Sequence, residues 1–498
     1  MAGIDSILDR RRAGVLLHIS SLPSGAGSGD LGEDAHRFVD FLADAGLTVW
    51  QTLPIGPTHS DLSPYQCMSA HAGNPLMINL EWLVSRGWLS ACALEDQTSK
   101  DAASFRRNAL SSAYHGFCGE PDESFSQRRY RAFCADCSYW LNDFALYAAL
   151  REHFGNTSWQ AWPKEYRDRE PQAIRQAMKD LASKIGQIRF EQFVFFSQWA
   201  ELRRHAQAKG VLLFGDMPIF VAVDSAEVWA ERWNFDLDAD GSARVVAGVP
   251  PDYFSETGQR WGNPHYLWEK MEQDGFEWWI NRLRTQLALY DLIRIDHFRG
   301  FEAYWEIPAS EPTALNGRWV KAPGEALLRT MFEHFGGRSL PLVAENLGII
   351  TDEVESMRNR FGIPGMLILQ FAFDGSEDNP YLPKNHTSNN VVYTGTHDND
   401  TTVSWFSNLS EDEREKVRKG MDGDDAPMPW GLIASAFKSE ALLAIVPLQD
   451  FLELGAEGRM NVPGTLSVSN WSWRFDWKQL NPSLPQKIRS LAAQFGRN

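Results

Sequence analysis

Leu292-Ile293-Arg294-Ile295-Asp296 is a short apolar run that ends on a carboxylate, and this pattern recurs along the chain. We count eight such runs, each ending in polar or charged residues and separated from the next by stretches with helical periodicity. They cover residues 15–18, 48–51, 211–216, 292–296, 341–345, 365–370, 391–398 and, more weakly, 459–462. Strands that alternate with helices in this way predict an α/β fold of the closed (β/α)8 TIM-type barrel class.

The spacing of the runs is uneven, and the two long gaps predict insertions between barrel strands. Residues 75–208 separate the second and third runs and predict a largely helical insertion, in which the helical spacing of Phe and Trp over 188–209 indicates core packing. Residues 222–290 separate the third and fourth runs and form a second insertion. We therefore expect one catalytic barrel domain over 1–498 that carries both insertions.

The composition disfavours several classes of partner. The 498 residues include 48 Lys and Arg against 65 Asp and Glu, a net charge of −17 that would repel nucleic acids and anionic membranes. Five cysteines do not suit a disulfide framework, so a reducing compartment is expected. No secretory signal or membrane-spanning run is recognised, which predicts a soluble, cytoplasmic protein. Aromatic residues make up 12% of the chain, and their flat apolar faces suit sugar rings.

Four of the runs end in a carboxylate: Asp216, Asp296, Glu345 and Asp398. In a parallel barrel the chemistry lies at the C-terminal ends of the strands, so these four side chains would face the mouth of the barrel. A single strand-terminal Asp could instead cap the following helix, and for any one of them that alternative stays open. Four together favour a catalytic site.

Asp296 and Glu345 end runs that would be adjacent strands of the barrel. Neighbouring strands lie about 4.8 Å apart, so we expect these carboxyl groups roughly 5 Å apart, which suits a retaining glycosidic mechanism. Arg294 precedes Asp296 by two residues and shares its face of the strand, where a guanidinium would keep the nucleophilic carboxylate ionised. The apolar residues 342–344 before Glu345 would raise the pKa of its carboxyl, so that it acts as the acid.

Longer strings in the chain are specific enough to identify a family. They are LLH at 16–18, SSLPS at 20–24, SPYQ at 63–66, GDMPIFV at 215–221, PPDYFSETGQRWGNP at 250–264, RIDHFRG at 294–300, AENLG at 344–348 and THDND at 396–400. In this order, and over nearly its whole length, the chain resembles the 4-α-glucanotransferases of the amylomaltase or disproportionating-enzyme type, glycoside hydrolase family 77.

The resemblance implies roles for the matching residues. It implies Asp296 as nucleophile, Glu345 as general acid/base, and Asp398 as a third carboxylate that binds sugar hydroxyls and stabilises the transition state. The residues implied to hold the donor glucose are Arg294, His397, Asp216 and Tyr65, with the Tyr65 ring stacked on the sugar. The loop 250–264 is implied to close over the bound glucan, and the residues that it would offer to the acceptor are Asp252, Tyr253, Phe254 and Trp261.

The predicted activity is transfer of α-1,4-glucan segments between malto-oligosaccharides, or between glucans derived from starch or glycogen. No cofactor is expected, and no metal, because none of the twelve His forms a close pair at ligand spacing on a recognisable helix. Two alternatives stay open: an α-glucan hydrolase that admits water to the same carboxylates, and a catalytically silent glucan-binding protein. The oligomeric state is not predicted.

The sequence departs from the family pattern at two places. Asn346 follows the acid/base where the family usually has Asp, which removes a negative charge beside Glu345. Residues 59–62 are His-Ser-Asp-Leu, where related enzymes often carry a Tyr associated with a second glucan site. A second site and the formation of large cyclic glucans are therefore not predicted.

Overall fold

The structure is a computed structural model of the 498-residue chain. It describes residues 4–25, 27–95, 101–251, 255–337, 339–421 and 426–498. Within these ranges the strands are β1 (Arg12–Leu16), β2 (Val49–Gln51), β3 (Leu212–Pro218), β4 (Val245–Val249), β5 (Gln259–Pro264), β6 (Leu292–Asp296), β7 (Ala303–Pro308), β8 (Arg318–Lys321), β9 (Leu342–Ala344), β10 (Gly365–Ile368), β11 (Asn390–Tyr393) and β12 (Leu443–Pro447).

The main sheet is a parallel barrel. Among the described residues it contains eight strands in the order β10-β11-β12-β1-β2-β3-β6-β9. The ring closes where the backbone N–H of Ala344 in β9 donates to the carbonyl of Pro364, directly before β10, over 2.8 Å. The predicted (β/α)8 TIM-type class is confirmed, and the C-terminal ends of all these strands lie at one end of the barrel.

The prediction of the eighth barrel strand at 459–462 is wrong. The strand between β11 and β1 is β12, Leu443–Pro447, in which all five residues are buried. Its all-apolar sequence is typical of a strand buried on both faces, but it ends in Pro447 and not in a polar or charged residue, so it does not fit the pattern of the predicted runs. Residues 459–462 instead lie outside any regular element, beside the mouth of the barrel.

A second sheet is antiparallel and stands beside the C-terminal end of the barrel. Its order is β5-β4-β7-β8, in which β4 and β5 belong to the chain between β3 and β6, and β7 and β8 follow β6. The two hairpin loops touch, since the backbone N–H of Ala314 donates to the carbonyl of Thr257 over 3.1 Å. The Arg260 guanidinium also donates to the carbonyl of Ala309 over 3.0 Å. The loop after β4 is therefore braced by the loop after β7.

The α-helices in the described ranges surround the barrel or fill the long gap between β2 and β3. They are α1 (Ile4–Ile7), α2 (Glu33–Asp44), α3 (Leu80–Ser85), α4 (Ala102–Cys118), α5 (Phe125–Asp136), α6 (Ser138–His153), α7 (Lys164–Arg167), α8 (Pro171–Asp180), α9 (Ala182–Ala208), α10 (Ala226–Ala230), α11 (Trp268–Gln273), α12 (Glu277–Leu289), α13 (Gly324–His334), α14 (Asp352–Arg360), α15 (Thr402–Asn408), α16 (Glu411–Gly420), α17 (Trp430–Lys438), α18 (Leu448–Phe451) and α19 (Leu484–Gln494).

Short 3-10 turns complete the described elements. They are Ile19–Ser21, Pro75–Met77, Ala91–Leu94, Trp159–Ala161, Arg232–Asn234, Phe298–Phe301, Leu369–Phe371, Pro383–Asn385, Ala456–Gly458 and Trp477–Gln479. None of the described helices has both the length and the apolar composition needed to cross a lipid bilayer.

The helices between β2 and β3 pack around α9, the helix with the aromatic stripe. Phe190 and Phe195 are fully buried, and Phe193 and Trp199 are nearly so. Phe190 contacts Phe117 of α4, and Phe193 makes an edge contact with Tyr130 of α5 at 5.7 Å. Phe196, also on α9, contacts Trp140 of α6. The interpretation of this stripe as core packing is confirmed.

Alternation along β6 places the charged residues inside the barrel. Ile293 and Ile295 pack outward in the core shared with the surrounding helices, whereas Leu292 packs inward with side chains from the other strands. Because successive residues of a strand point to opposite faces, Arg294 and Asp296 share the inner face with Leu292. The barrel interior therefore ends, at its C-terminal mouth, in ionisable groups.

Candidate active site

Arg294 lies between two carboxylates at the C-terminal ends of adjacent strands. Its Nη1 donates to both oxygens of Asp216 at 2.7 Å, and its Nη2 lies 2.9 Å from Asp296 Oδ1. β3 pairs with β6 so that Asp216 is opposite Arg294, which explains the contact. Burial alone would lower the pKa of the Arg294 guanidinium, but Asp216 and Asp296 outweigh it and raise that pKa well above its ordinary value. Arg294 therefore stays charged beside Asp296.

Asp216 and Asp296 differ in their access to solvent. The Asp216 side chain is fully buried, and burial raises the pKa of its carboxyl while Arg294 opposes the rise. The Asp296 side chain is 29% exposed at the mouth of the barrel. Asp216 is consequently a fixed partner within the protein, whereas Asp296 is open to a ligand.

Glu345 follows β9 directly and is held by two backbone N–H groups. Its Oε2 accepts from the His297 N–H and its Oε1 from the Leu347 N–H, each over 2.8 Å. The Glu345 residue is 8% exposed, and burial raises the pKa of its carboxyl to about 7 although Arg294 opposes the rise. At neutral pH a substantial fraction of Glu345 therefore carries a proton that it can donate.

His297 connects the two carboxylates through its backbone. It has φ 79°, in the left-handed region that is rare for a residue with a side chain. This conformation follows Asp296 immediately and turns the His297 N–H toward Glu345. Such strain persists only where the surrounding contacts hold it, and here it sets Glu345 against the end of β6.

Asp398 lies on the loop between β11 and α15. Its Oδ1 accepts from Asn461 Nδ2 over 2.6 Å, and its Oδ2 lies 3.4 Å from His397 Nε2. Arg459 donates to the Asp398 carbonyl over 2.9 Å. The Asp398 side chain is 46% exposed, so one side of a held carboxylate faces the mouth of the barrel.

Three rings form a wall beside the carboxylates. The Tyr65 ring stacks on His397 with centroids 5.2 Å apart and an angle of 18°, and Trp471 lies 5.9 Å from Tyr65 and 5.8 Å from His397. Tyr65 also donates its hydroxyl to Asp216 Oδ2 over 2.8 Å. The wall and the carboxylates thus belong to one hydrogen-bonded unit, and a sugar bound there would meet both polar groups and apolar faces.

The structure brings together most of the residues that the sequence singled out. Tyr65, Asp216, Arg294 and Asp296 are linked directly, and His397 lies against both Tyr65 and Asp398. Trp261 joins them on the other side, with its ring edge-on to His297 at 4.9 Å. Three further predicted residues lie outside the described residues: Asp252, Tyr253 and Phe254.

Sequence reasoning missed three residues of the site: Arg459, Asn461 and Trp471. They lie on the chain after β12, some 60 residues beyond Asp398. The weak run at 459–462 predicts a strand that the structure does not contain. Trp471 begins an alternation of aromatic and polar residues over 471–477 that the eight apolar runs do not include. No spacing rule connects such segments with a strand end, because their approach depends on how the chain returns over the barrel mouth.

The side chain of Asn346 points away from the reacting centre. Its Oδ1 accepts from the Met366 N–H over 2.8 Å, and its Nδ2 donates to Glu355 Oε1 over 2.6 Å. An Asp at this position would lose the donor and place a second carboxylate against Glu355. Asn346 therefore serves the packing of β9 against β10 and α14, which accounts locally for the amide.

The chemistry available at this site is acid/base and nucleophilic. An exposed carboxylate beside a permanent cation and a partly protonated carboxyl on the adjacent strand form the pair that glycosidic bond exchange requires. In the part of the chain that the structure describes, no group of three or more His, Cys, Asp or Glu side chains is arranged to hold a metal ion.

Similar proteins share this chain's whole length. A protein-family model for glycoside hydrolase family 77, described as 4-alpha-glucanotransferase, matches residues 17–480. A 4-alpha-glucanotransferase of Thermus thermophilus is 48% identical over 97% of this chain and 98% of its own length. One from Synechocystis is 45% identical over 99% of both chains. A solved amylomaltase from Streptococcus agalactiae, in complex with acarbose, superposes with a TM-score of 0.93 at 36% identity and covers 98% of this chain and 100% of that one.

Proposed function

Since this chain belongs to glycoside hydrolase family 77, the 4-alpha-glucanotransferases, we propose that it moves α-1,4-glucan segments between malto-oligosaccharides through a covalent glycosyl-enzyme, with retention of the α configuration. The observation that carries the proposal is the pair formed by Asp296, ion-paired with Arg294, and Glu345, whose carboxyl has a raised pKa. A retaining mechanism requires one carboxylate of each kind.

In the first step the Asp296 carboxylate attacks the anomeric carbon of the donor glucose. The bond from that carbon to the glycosidic oxygen breaks, and Glu345 gives its proton to the departing oxygen. The leaving glucan therefore departs with a free 4-hydroxyl, and the enzyme holds a β-linked glycosyl ester. Glu345 is now a carboxylate, which the N–H groups of His297 and Leu347 stabilise.

In the second step the acceptor takes the place of the leaving chain. Glu345 accepts the proton of the acceptor's 4-hydroxyl while the oxygen attacks the anomeric carbon and releases Asp296. Two inversions at one carbon restore the α configuration. Both steps use the same groups in opposite directions, so the glycosidic bond is exchanged without a cofactor.

The remaining residues of the site hold the donor sugar. Asn461 holds Asp398 in one orientation, and the free oxygen of Asp398 would bind hydroxyls of the donor glucose. These hydrogen bonds would strengthen in the transition state, as positive charge develops on the sugar ring. The rings of Tyr65 and Trp471 would cover one face of that sugar. Asp216 keeps Tyr65 and Arg294 in position.

Transfer rather than hydrolysis requires that water be kept from the glycosyl-enzyme. The segment 250–264, which follows β4 and ends in β5 (Gln259–Pro264), would close over the site, and Asp252, Tyr253, Phe254 and Trp261 would present the acceptor with a surface. Support comes from Trp261, whose ring packs against His297 beside the acid/base. Support for the substrate class comes from the similar Streptococcus agalactiae amylomaltase, which was solved with acarbose. An aromatic cover of this kind excludes water and favours a sugar hydroxyl as acceptor.

The direct test is incubation of the purified protein with maltotriose alone. We expect glucose and a ladder of longer oligosaccharides at a constant number of reducing ends. Asp296→Asn and Glu345→Gln should each lose at least a thousandfold in kcat, whereas Asp40→Asn, which changes a partly exposed carboxylate on α2, should match the wild type. Rising reducing ends without a ladder would make the protein a hydrolase, and no change with folded protein would favour a silent glucan binder.

The covalent step has its own test. A donor with a 2- or 5-fluoro substituent and a fluoride leaving group slows the second step more than the first, so the glycosyl-enzyme accumulates. Mass spectrometry of the digested protein should find the added sugar on the peptide that contains Asp296. An adduct elsewhere, or turnover that inverts the configuration by NMR, would contradict the assignment.

A further inference from the structure

Trp319 presents an exposed ring on β8, at the edge of the antiparallel sheet. The residue is 37% exposed. Its ring is fixed from two sides: the Arg299 guanidinium carbon lies 3.7 Å from the ring centroid, and the Trp305 ring stands edge-on at 5.2 Å and 67°. Such contacts hold the ring in one orientation before any ligand arrives.

The face of Trp319 that Arg299 covers is the inner one. Arg299 is only 6% exposed, and its Nη1 donates to the carbonyl of Ile349 in the turn after Glu345. The exposed part of Trp319 therefore lies away from Arg299. A flat aromatic ring that its neighbours hold in place and that stays partly exposed can stack on a sugar ring.

Two more exposed apolar side chains belong to segments that bond to the two partners of this ring, Arg299 and Trp305. Ile349, whose carbonyl accepts from Arg299, is 54% exposed. Leu315, which follows Ala314 on the β7–β8 loop, is 53% exposed, and Trp305 Nε1 donates to the Ala314 carbonyl over 3.0 Å. We call Trp319, Ile349 and Leu315 the outer platform. Its members come from three segments that Arg299 and Trp305 hold together.

The outer platform is connected to Glu345 along the chain and to the loop after β4 by a hydrogen bond. Glu345 protonates the glycosidic oxygen, so the glucan beyond that oxygen must run past Glu345 and the residues that follow it. Ile349 is four residues after Glu345, which limits the distance between them to roughly 14 Å even in an extended chain. The Ala314 N–H also donates to Thr257, in the loop proposed to cover the site. The platform is thus continuous with the acceptor side.

The charges around the platform indicate an uncharged ligand. Arg318 and Lys321, which flank the Trp319 strand position, are each paired with a carboxylate: Arg318 with Glu306 at 2.7 Å, and Lys321 with Glu302. Neither residue therefore offers an unpaired positive charge that would attract a phosphate or an acidic peptide. A neutral chain of hexoses suits this surface, because its ring faces can pack on the apolar side chains and it needs no charged partner.

We propose that the outer platform is a distal acceptor subsite, at which Trp319 stacks on a glucose ring of an α-1,4-glucan beyond the sugars that meet the reacting centre. This inference rests on the proposed transferase function and predicts a preference for longer acceptors that depends on Trp319, Ile349 and Leu315. Because the ring is already fixed, little conformational entropy is lost when a sugar binds. The same subsite would hold the leaving segment of a long donor, since donor and acceptor occupy it in turn.

The test compares a short and a long acceptor on a common glycosyl-enzyme. Maltosyl fluoride serves as donor, and kcat/KM is measured for glucose and for maltohexaose as acceptors. Trp319→Ala should lower the value for maltohexaose about five- to tenfold and leave the value for glucose unchanged, while Trp319→Phe should retain most of it. Trp233→Ala is the matched control, because Trp233 is 54% exposed but lies on the 3-10 turn Arg232–Asn234, where its ring faces Lys270 of α11.

A second variant tests the outer platform independently if Trp319→Ala disturbs the fold. Ile349→Ala removes only the exposed side chain, since Arg299 bonds to the backbone carbonyl, and it should lower the maltohexaose value two- to threefold with the glucose value unchanged. Equal losses for both acceptors, or no loss for maltohexaose, would overturn the subsite. A wild-type protein that transfers to neither acceptor would instead refute the proposed function.

Discussion

Asp296 and Glu345 follow paired residues of neighbouring strands, yet their surroundings differ. Asp296 is partly exposed and touches the Arg294 guanidinium. Glu345 is buried and bound only by backbone N–H groups, which leaves burial as the main influence on its pKa. Environment, rather than residue type, thus separates the nucleophile from the acid in our proposal.

The raised pKa of Glu345 predicts an alkaline limit to activity. The acid form of Glu345 must donate a proton in the first step, so kcat/KM for maltotriose should fall as the pH rises through about 7, approaching a tenfold loss per pH unit above that value. The measurement is a pH profile of initial rates. A glycosyl fluoride donor is the control, because fluoride leaves with less need for a proton and should flatten this limb. An identical limb with both donors would assign it to another group.

Asn461 provides a test of how firmly Asp398 must be held. Asn461→Ala removes the 2.6 Å hydrogen bond to Asp398 Oδ1, and we expect kcat/KM to fall about tenfold, since a hydrogen bond to a charged group contributes about 1.5 kcal/mol or more. Asn470→Ala is the control, because Asn470 bonds only within its own loop, to Thr465 and Val462. Equal losses in both variants would indicate a collapsed loop rather than a misdirected carboxylate.

Whole strands and hairpins carry these side chains into place. The parallel barrel brings the ends of β3, β6 and β9 together, so one inward-facing position per strand suffices to assemble Asp216, Arg294 and Glu345. The antiparallel sheet has a different task. Its β7–β8 loop braces the loop after β4 through the bond from Ala314 to Thr257. In our proposal the barrel sheet therefore positions the catalytic groups, and the antiparallel sheet supports the segment that would cover the site.

A Trp305→Phe substitution weakens the β7–β8 hairpin, whose loop supports the loop after β4, and keeps an aromatic ring at this position. Trp305→Phe loses the 3.0 Å hydrogen bond from Nε1 to the Ala314 carbonyl, at a cost of about 1 kcal/mol. If the loop after β4 excludes water, the share of hydrolysis in total turnover should rise about two- to fivefold, measured as new reducing ends against transfer products. Trp82→Phe, which loses an equivalent bond to Glu201 among the inserted helices, should leave this share unchanged. The opposite ranking would contradict the bracing role.

The two ends of the chain meet at the N-terminal end of the barrel, opposite the site. Arg497 is fully buried and donates to four backbone carbonyls, those of Arg12, Phe437, Ser439 and Ala441. These carbonyls belong to the start of β1, the end of α17 and the segment before β12. The guanidinium groups of Arg497 and Arg11 thus tie the two ends of the chain to the end of α17, in addition to the ladder between β1 and β12.

Loss of this junction should reduce stability without changing the chemistry. For Arg497→Ala we expect the free energy of unfolding to fall by about 3 kcal/mol, because several buried carbonyls lose a charged donor. Urea denaturation measures the change, and kcat well below the melting temperature should stay at the wild-type value. Arg489→Ala, which removes a more exposed cap at the end of α2, should cost less than about 1 kcal/mol. Similar costs for both variants would refute a special role of Arg497.

The sequence by itself determined the barrel class and the inner face of β6. Successive side chains of a strand point to opposite faces in any sheet, so the two-residue spacing of Arg294 and Asp296 was enough to place both on the same face of β6. The carboxylates at run ends were recognisable for the same reason, since parallel strands bring their C-terminal ends to one edge. These features depend on residues close together in the chain.

Only the tertiary structure decided which distant segments complete the site. β12 was missed because a strand buried on both faces lacks the polar end that marked the others. Asn461 and Trp471 reach Asp398 and Tyr65 only because the chain after β12 returns across the barrel mouth. The apolar residues 342–344 predicted the direction of the Glu345 pKa shift, whereas the rise to about 7 follows from burial of the carboxyl in the folded molecule. Long-range contacts and desolvation are properties of the packed molecule, and no local pattern of residues encodes them.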